Sequence, residues 1–209
     1  KIDILVNRFE SLGEEYAVVS GDAQFIDNDG KKIFMKRNKK IFYSFVQYYT
    51  SGFEDFDLLK DFGGHCSFFN RNYIPAMSTL LKKDALVNVG LYDEGFCLED
   101  WDMWFKLTKK YKFYYEDIIV ANYRIHETNS IKIMTERLNK DLIEILKRER
   151  FFCYSNGYGH KWESLYYKTL LIILKNQNFK LFMINFNLID IGKLMKAVFL
   201  KLFSSLSYK

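Results

Sequence analysis

The stretch from Glu99 to Trp104 constrains the fold of this chain more than any other feature. Three carboxylates and two tryptophans fall within these six residues, directly after a turn-like segment at 91–95. Acidic side chains in a first helical turn bond free backbone N–H groups and oppose the helix dipole. The pattern therefore predicts a helix that begins at the acids, continues to about Tyr111 and keeps both tryptophans on one face.

Apolar periodicity and turn residues predict the other elements. A strand at 113–123 follows the acidic helix and leads into Arg124 and His126. The other predicted strands span 16–26, 31–35 and 73–81. The other predicted helices span 2–12, 42–50, 83–89, 131–150, 161–175 and 178–204. Gly90 is expected to end the helix at 83–89.

The composition indicates a folded protein with a sizeable core. Apolar residues make up 49% of the 209 residues, and aromatic residues make up 18%. The net charge of +5 is spread along the chain, and the sequence has no RNA-binding signature or basic arm, so nucleic-acid binding is not expected. The three cysteines lie far apart without zinc spacing, which favours reduced thiols and a cytoplasmic location.

The acids at the helix start have a structural and a functional interpretation. They can simply cap the helix. The positive end of a helix also keeps a carboxylate ionised at neutral pH, and an ionised carboxylate can act as a general base towards a hydroxyl group.

Other candidate residues are equally open to two interpretations. The segment Asp27-Asn28-Asp29-Gly30 looks like an Asp-x-Asp metal motif, but its position between two apolar runs favours a hairpin turn. His126 is either a capping or core histidine or a ligand. Arg124 either pairs with an acid of the cluster or binds substrate. Trp101, next to the acids, is either a core residue or a platform for a ligand.

The order of several short motifs resembles glycosyltransferase family 2, the inverting GT-A enzymes that build bacterial polysaccharides. The resemblance covers about residues 1–130 and corresponds to the second half of that domain. Its motifs are Val18-Val19-Ser20-Gly21-Asp22, Ile26-Asp27-Asn28-Asp29-Gly30, Ser78-Thr79-Leu80-Leu81-Lys82-Lys83, Val89-Gly90-Leu91-Tyr92-Asp93-Glu94, Glu99-Asp100-Trp101-Asp102-Met103-Trp104 and Tyr123-Arg124-Ile125-His126. The last three, in this order, are quite specific.

The resemblance implies an α/β fold of the GT-A, Rossmann-like type. Residues 1–130 correspond to the acceptor-side half of the catalytic domain, and residues 131–209 form a C-terminal helical extension. The implied reaction transfers a sugar, with inversion, from a nucleotide-sugar donor to a saccharide or lipid-linked acceptor. Asp100 is then the catalytic base, and His126 approaches the metal and the donor diphosphate. The residues implied in acceptor or substrate binding are Glu99, Trp101, Asp102 and Arg124.

The resemblance also implies a divalent metal, Mg2+ or Mn2+. In the family this metal is held mostly by an Asp-x-Asp motif in a preceding nucleotide-binding half. Lys1-Ile2-Asp3 looks like the helix start that follows that motif. We therefore expect the metal motif to lie upstream of this sequence and the chain alone to be inactive.

A second hypothesis is a non-catalytic acceptor-binding or membrane-docking module of a larger assembly. The predicted helix at 178–204 has one broad apolar face and gathers its lysines on the other. This pattern is typical of helices that lie in a bilayer interface, here at the inner face of the cell membrane. Packing on the catalytic core or in a homodimer explains the same pattern.

Overall fold

The computed structural model describes residues 1–129, 134–186 and 192. The chain divides into two compact units, Lys1–Ile133 and Met134–Lys209. Strands and helices are mixed in the first unit, whereas the described part of the second unit is helical. The predicted α/β class is therefore confirmed.

The elements of the first unit follow the predicted order closely around the acidic helix. The strands are β1 (Tyr16–Ile26), β2 (Met35–Arg37), β3 (Lys40–Phe42), β4 (Thr79–Leu81) and β5 (Lys112–Arg124). The α-helices are α1 (Ile2–Glu10), α2 (Phe45–Thr50), α3 (Leu58–Asp61), α4 (Lys83–Val89) and α5 (Glu99–Leu107). Short 3-10 helices span His65–Phe69 and Ala76–Ser78. As predicted, α4 ends at Gly90, which has a φ of 96°. The acidic helix begins as predicted but ends before Tyr111.

Strand β1 is the centre of a three-stranded sheet with the order β4-β1-β5. It pairs antiparallel with β4 and parallel with β5. The register with β5 shifts between Ser20 and Asp22, and a Cβ atom on Gly21 would lie 2.6 Å from Val120 Cγ2, so only glycine fits there. Next to this irregularity, Oδ1 of the buried Asp22 accepts a hydrogen bond from the N–H of Val46 (2.9 Å). The central strand thereby holds the start of α2.

The Asp-rich segment after β1 is a turn, as predicted. Asp27 Oδ1 accepts hydrogen bonds from the backbone N–H groups of Asp29 (3.0 Å) and Lys31 (2.8 Å). Gly30 has a φ of 81°, in the left-handed region. The predicted return strand at 31–35 is confirmed only in its first part, where Lys32 forms an antiparallel bridge with Ile26 and the N–H of Ile33 donates to the Phe25 carbonyl (3.0 Å). After Ile33 the chain leaves β1, and Met35 begins the separate hairpin of β2 and β3.

The predicted strand at 73–81 is wrong over most of its length, because only its end forms β4. Tyr73 is buried, and its hydroxyl oxygen accepts a hydrogen bond from the N–H of Gly63 (2.8 Å). After Pro75 the chain makes a 3-10 turn, in which the N–H of Ser78 donates to the Pro75 carbonyl (2.9 Å). These bonds curl the backbone, so it cannot join the sheet earlier.

An aromatic core fixes α5 against the sheet. Trp104 and Phe105 are fully buried on the inner side of the helix. Trp104 meets Phe113 of β5 edge to face, with ring centroids 5.8 Å apart. Phe105 packs against Phe69 at 4.9 Å. Because the inner side is anchored in this way, the position of the acids in the first helical turn is fixed as well.

The described part of the second unit consists of α6 (Thr135–Ser155), α7 (Gly159–Lys175) and α8 (Phe179–Asn185). Trp162 of α7 is buried, and its Nε1–H donates to the carbonyl of Leu146 in α6 (2.6 Å). The hydroxyl of Tyr166 donates to the carbonyl of Asn185 in α8 (2.8 Å). Indole and phenol side chains therefore join the three helices through hydrogen bonds as well as through packing.

The prediction of one continuous helix over 178–204 is wrong. Helix α8 ends before Phe186, whose backbone is extended, because the carbonyl of Asn185 bonds to the Tyr166 hydroxyl instead of continuing the helix. Positions 187–191 and 193–204 of this prediction lie outside the described residues. Within the ranges that the structure describes, no helix combines the length and apolar character needed to cross a bilayer.

Candidate functional site

Asp100 lies in the first turn of α5, with one carboxyl oxygen held and the other open. Its Oδ1 atom accepts hydrogen bonds from the N–H of Trp101 (2.6 Å) and from Nδ2 of Asn72 (3.2 Å). Within residues 1–129 and 134–186, no other residue donates a hydrogen bond to Oδ2. The carboxyl group is therefore fixed in orientation, while Oδ2 keeps its lone pairs for a ligand or a proton.

Burial raises the pKa of Asp100 to about 6. Loss of contact with water is the largest cause, and the negative charge of Glu99 adds to it. The hydrogen bonds from Asn72 and Trp101 favour the ionised form and limit the rise. The helix dipole alone would have lowered this pKa, so burial dominates. A carboxyl group with this pKa is mostly ionised at pH 7 and is still a useful base.

Three aromatic residues lie near Asp100. Its negative charge contributes to the raised pKa of Tyr92 and of Tyr123, after burial as the larger cause in both, so these phenols lie within electrostatic reach of the carboxylate. Trp101 is half-buried, and its Nε1–H donates to the carbonyl of Phe68 (3.2 Å), which fixes the indole ring. The site therefore combines one open carboxylate oxygen with nearby aromatic side chains, of which Trp101 is fixed by a hydrogen bond.

The other two acids of the cluster have different surroundings. Glu99 is exposed. Asp102 is fully buried, and its Oδ2 lies 2.9 Å from Nζ of Lys106, one helical turn later. Lys106 Nζ also donates to the carbonyl of Leu91 (3.0 Å) in the turn before the helix. The structure does not bring Asp102 to the surface beside Asp100 but places it in an ion pair that ties this turn to α5.

Arg124 and His126 lie at the end of β5, where each bonds to a loop. Arg124 Nη1 donates to the two backbone carbonyls at 27–28, at 2.7 and 2.6 Å. Among the described residues it does not pair with an acid of the α5 cluster. His126 Nδ1 lies 2.9 Å from Thr128 Oγ1, and its backbone N–H donates to Asn129 Oδ1 (2.6 Å). These bonds shape the two loops at this end of the sheet.

The donor set around His126 does not complete a metal site. In the part of the chain that the structure describes, no three His, Cys, Asp or Glu side chains come together in a way that could hold a metal ion. The divalent metal implied by the motif resemblance, which was expected to be held mostly upstream of this sequence, stays a prediction.

Asn72 was missed by the sequence analysis, although it holds Asp100 in place. The two residues are 28 positions apart, and no local periodicity links an amide in a loop to an acid at a helix start. Tyr92 and Tyr123 belong to the motifs that resemble glycosyltransferase family 2, so the sequence offered a reason to consider them. A motif does not show which acid a tyrosine lies near.

Neither models of known protein families nor curated proteins give a match to this chain. Asp100 and its neighbours are therefore the basis for a functional assignment.

Proposed function

We propose that this chain is the acceptor-side half of an inverting glycosyltransferase of the GT-A type, with Asp100 as the general base. The observation that carries the proposal is the Asp100 carboxyl group, which has one oxygen held by Asn72 and Trp101, the other open, and a pKa of about 6. A general base needs this combination of fixed direction and matched basicity. The order of the family 2 motifs supports the same function.

The proposed reaction is a single in-line displacement. Asp100 Oδ2 accepts the proton of an acceptor hydroxyl as its oxygen forms a bond to the anomeric carbon of a nucleotide-activated sugar. The bond from that carbon to the diphosphate oxygen breaks, and the leaving nucleoside diphosphate takes the electron pair. Attack from the opposite face inverts the configuration at the anomeric carbon. Asp100 then releases its proton to water.

The aromatic surroundings of Asp100 support a saccharide acceptor, free or lipid-linked. Tyr92 has 39% of its surface exposed, and the ring of Trp101 is fixed through its indole N–H. Such rings pack against the C–H face of a sugar, and phenol groups bond to sugar hydroxyls. Glu99, exposed next to Asp100, offers a further acceptor for these hydroxyls.

We place the donor at the carboxyl ends of the parallel strands. Ligands of open α/β sheets bind at these ends. Arg124 is the last residue of β5, which runs parallel to β1, and His126 follows it. In this proposal, Arg124 shapes the turn after β1 and His126 lines the donor side. Most of the nucleotide site comes from a preceding nucleotide-binding half.

The test is a screen of nucleotide sugars with the complete protein, followed by assignment of the anomeric configuration of the product by NMR. We expect an inverted product. The rate at low substrate concentration should fall as the pH decreases through about 6, because protonated Asp100 cannot accept the acceptor proton. A retained configuration, or a pH profile without this acidic limb, would contradict the proposed mechanism.

Helix α8 favours a second candidate function, a membrane-docking module without catalysis. Phe179, Met183 and Ile184 are 60%, 66% and 68% exposed, next to Lys180. Exposed apolar side chains beside a lysine are typical of helices that enter a bilayer interface. If docking is the function, Met183→Asp should weaken co-sedimentation with anionic vesicles, whereas Phe151→Asp at an exposed position of α6 should not. Equal sedimentation of all three proteins would leave core or homodimer packing as the role of α8.

A further inference from the structure

The side chain of Arg71 is positively charged and partly buried. At least one of its N–H donors has no hydrogen-bond acceptor. Arg71 lies shortly after the 3-10 helix His65–Phe69, and its Nη1 atom is buried with no hydrogen-bond partner. Burial is the largest cause that lowers the pKa of Arg71, and the positive charge of Arg37 lowers it further. A buried donor without an acceptor destabilises the folded state, and a bound anion would remove this penalty.

Arg37 and Arg71 are held on adjacent tyrosine rings. Arg37 Cζ lies 4.0 Å from the centroid of the Tyr48 ring, and its Nη1 donates to the Tyr48 carbonyl (2.8 Å). Arg71 Cζ lies 5.8 Å from the centroid of the Tyr49 ring. The two rings pack edge to face, with centroids 5.1 Å apart. Both guanidinium groups are therefore positioned by aromatic contacts and not by acids.

The two arginines lack a carboxylate partner within the described residues. The ion pairs there involve other cations, for example Arg8 with Glu116 and Lys106 with Asp102. None of the causes that shift the pKa of Arg71 is a carboxylate. Two like charges close enough to repel each other, with no neutralising acid, create a local positive potential that favours an anion.

We propose that Arg37 and Arg71 form a binding site for a phosphoryl group. A guanidinium fork matches two phosphate oxygens at once, and two such forks around one phosphate are stronger and more selective than a single ammonium group. Nη1 of Arg71 is inaccessible as it stands, so it becomes one of these donors only when the guanidinium group turns towards the ligand. A soluble phosphate ester and a phospholipid head group present the same chemistry. The site goes beyond the proposed function and does not depend on the role of Asp100.

Calorimetric titration of the chain with inorganic pyrophosphate, at fixed ionic strength, tests the soluble form of this chemistry. We expect binding to be about 10-fold weaker or more in both Arg37→Gln and Arg71→Gln, since each loses charge-assisted hydrogen bonds. Arg150→Gln is the matched control, because Arg150 also lies over aromatic rings, Tyr154 at 5.9 Å and Trp162 at 5.5 Å, but is exposed in the second unit. It should bind as the wild type does.

Co-sedimentation with phosphatidylcholine vesicles that contain phosphatidic acid tests the lipid form. The site is supported if the wild type binds in either experiment and both Gln variants lose that binding. Binding of pyrophosphate identifies a soluble phosphate as the ligand, and binding of the vesicles identifies a lipid phosphate. Arg71→Lys keeps the positive charge but lacks the guanidinium group that can bond to two phosphate oxygens, so it should also weaken binding. This variant tests the site if Arg71→Gln does not fold. The proposal would be overturned if the wild type bound neither pyrophosphate nor the vesicles, or if the Gln variants bound as tightly as the wild type.

Discussion

The outer and inner sides of α5 carry two acids that look equivalent in the sequence but differ in the structure. Asp100, on the outer side, has an open Oδ2 and a pKa raised to about 6. Asp102, on the inner side, is fully buried in an ion pair with Lys106. Helical residues are about 100° apart, so positions i and i+2 point in nearly opposite directions. An acidic motif at a helix start can therefore contain one anchor and one carboxylate left for chemistry.

The largest expected effect is on catalysis at the outer side. Asp100→Asn in the complete protein should lower kcat by at least ~10²-fold, the usual scale for a lost general base. The fold should remain intact, because an amide oxygen can still accept the bonds from Asn72 and Trp101. Asp84→Asn, which removes an exposed acid from the first turn of α4, is the matched control and should keep most of the turnover. Near-normal turnover of Asp100→Asn would remove this residue from the mechanism.

On the inner side, the expected effect is a loss of stability. Asp102→Ala should lower the free energy of unfolding by about 3 kcal/mol, because it leaves the Lys106 charge partly buried without its partner. Urea denaturation measures the change. Adding Lys106→Met should restore part of the loss, since no charge then remains to be buried. If Asp102→Ala unfolds at the wild-type urea concentration, the ion pair is not an anchor.

Removal of the outer acid should instead stabilise the protein above pH 6. The pKa of Asp100 rises from 3.8 to about 6 on folding, so the folded state binds the proton more tightly, and wild-type stability decreases as the pH rises from about 4 to 6. Asp100→Asn lacks this term and should be more stable than the wild type by on the order of 2 kcal/mol at pH 8, with little difference at pH 3. Thermal unfolding of both proteins at the two pH values measures this. A difference that does not change with pH would contradict the raised pKa.

The smallest expected effect is on stability, and it concerns Arg124 at the end of β5. Arg124→Gln loses the bonds to the two carbonyls at 27–28 and should cost about 1 kcal/mol of stability. Arg8→Gln, which breaks the pair with Glu116 in another part of the unit, is a suitable comparison. If Arg124 acts only on the turn, KM changes little at temperatures where the variant is folded. A large rise in KM without loss of stability would assign it to the substrate site.

Features that depend on neighbouring residues were predictable from the sequence. The start of α5, the stop at Gly90 and the Asp27 turn all result from bonds that close within a few positions. The predicted return strand at 31–35 pairs with β1 only through Lys32 and Ile33, because hairpin periodicity does not show how far the pairing extends.

Features that depend on distant residues were not predictable. The strand at 73–81 was predicted from apolar content, but Tyr73 bonds to Gly63 and the chain curls there instead. The raised pKa of Asp100 needs burial under side chains far away in the sequence, and its partner Asn72 is 28 positions away. Sequence patterns therefore located the acid but not its environment.

The pairing of β1 with β5 has a consequence for the synthesis of this protein. Gln24 and Asn122, whose side chains bond across the two strands at 2.7 Å, are 98 positions apart. The chain must close this long loop before the contact gives any stability, which slows folding. A ribosome must therefore release β5 before the sheet of the first unit can form. Until then β1 has only the cover of earlier elements such as α1, α2 and β4, so the side of β1 that pairs with β5 stays open in the nascent chain.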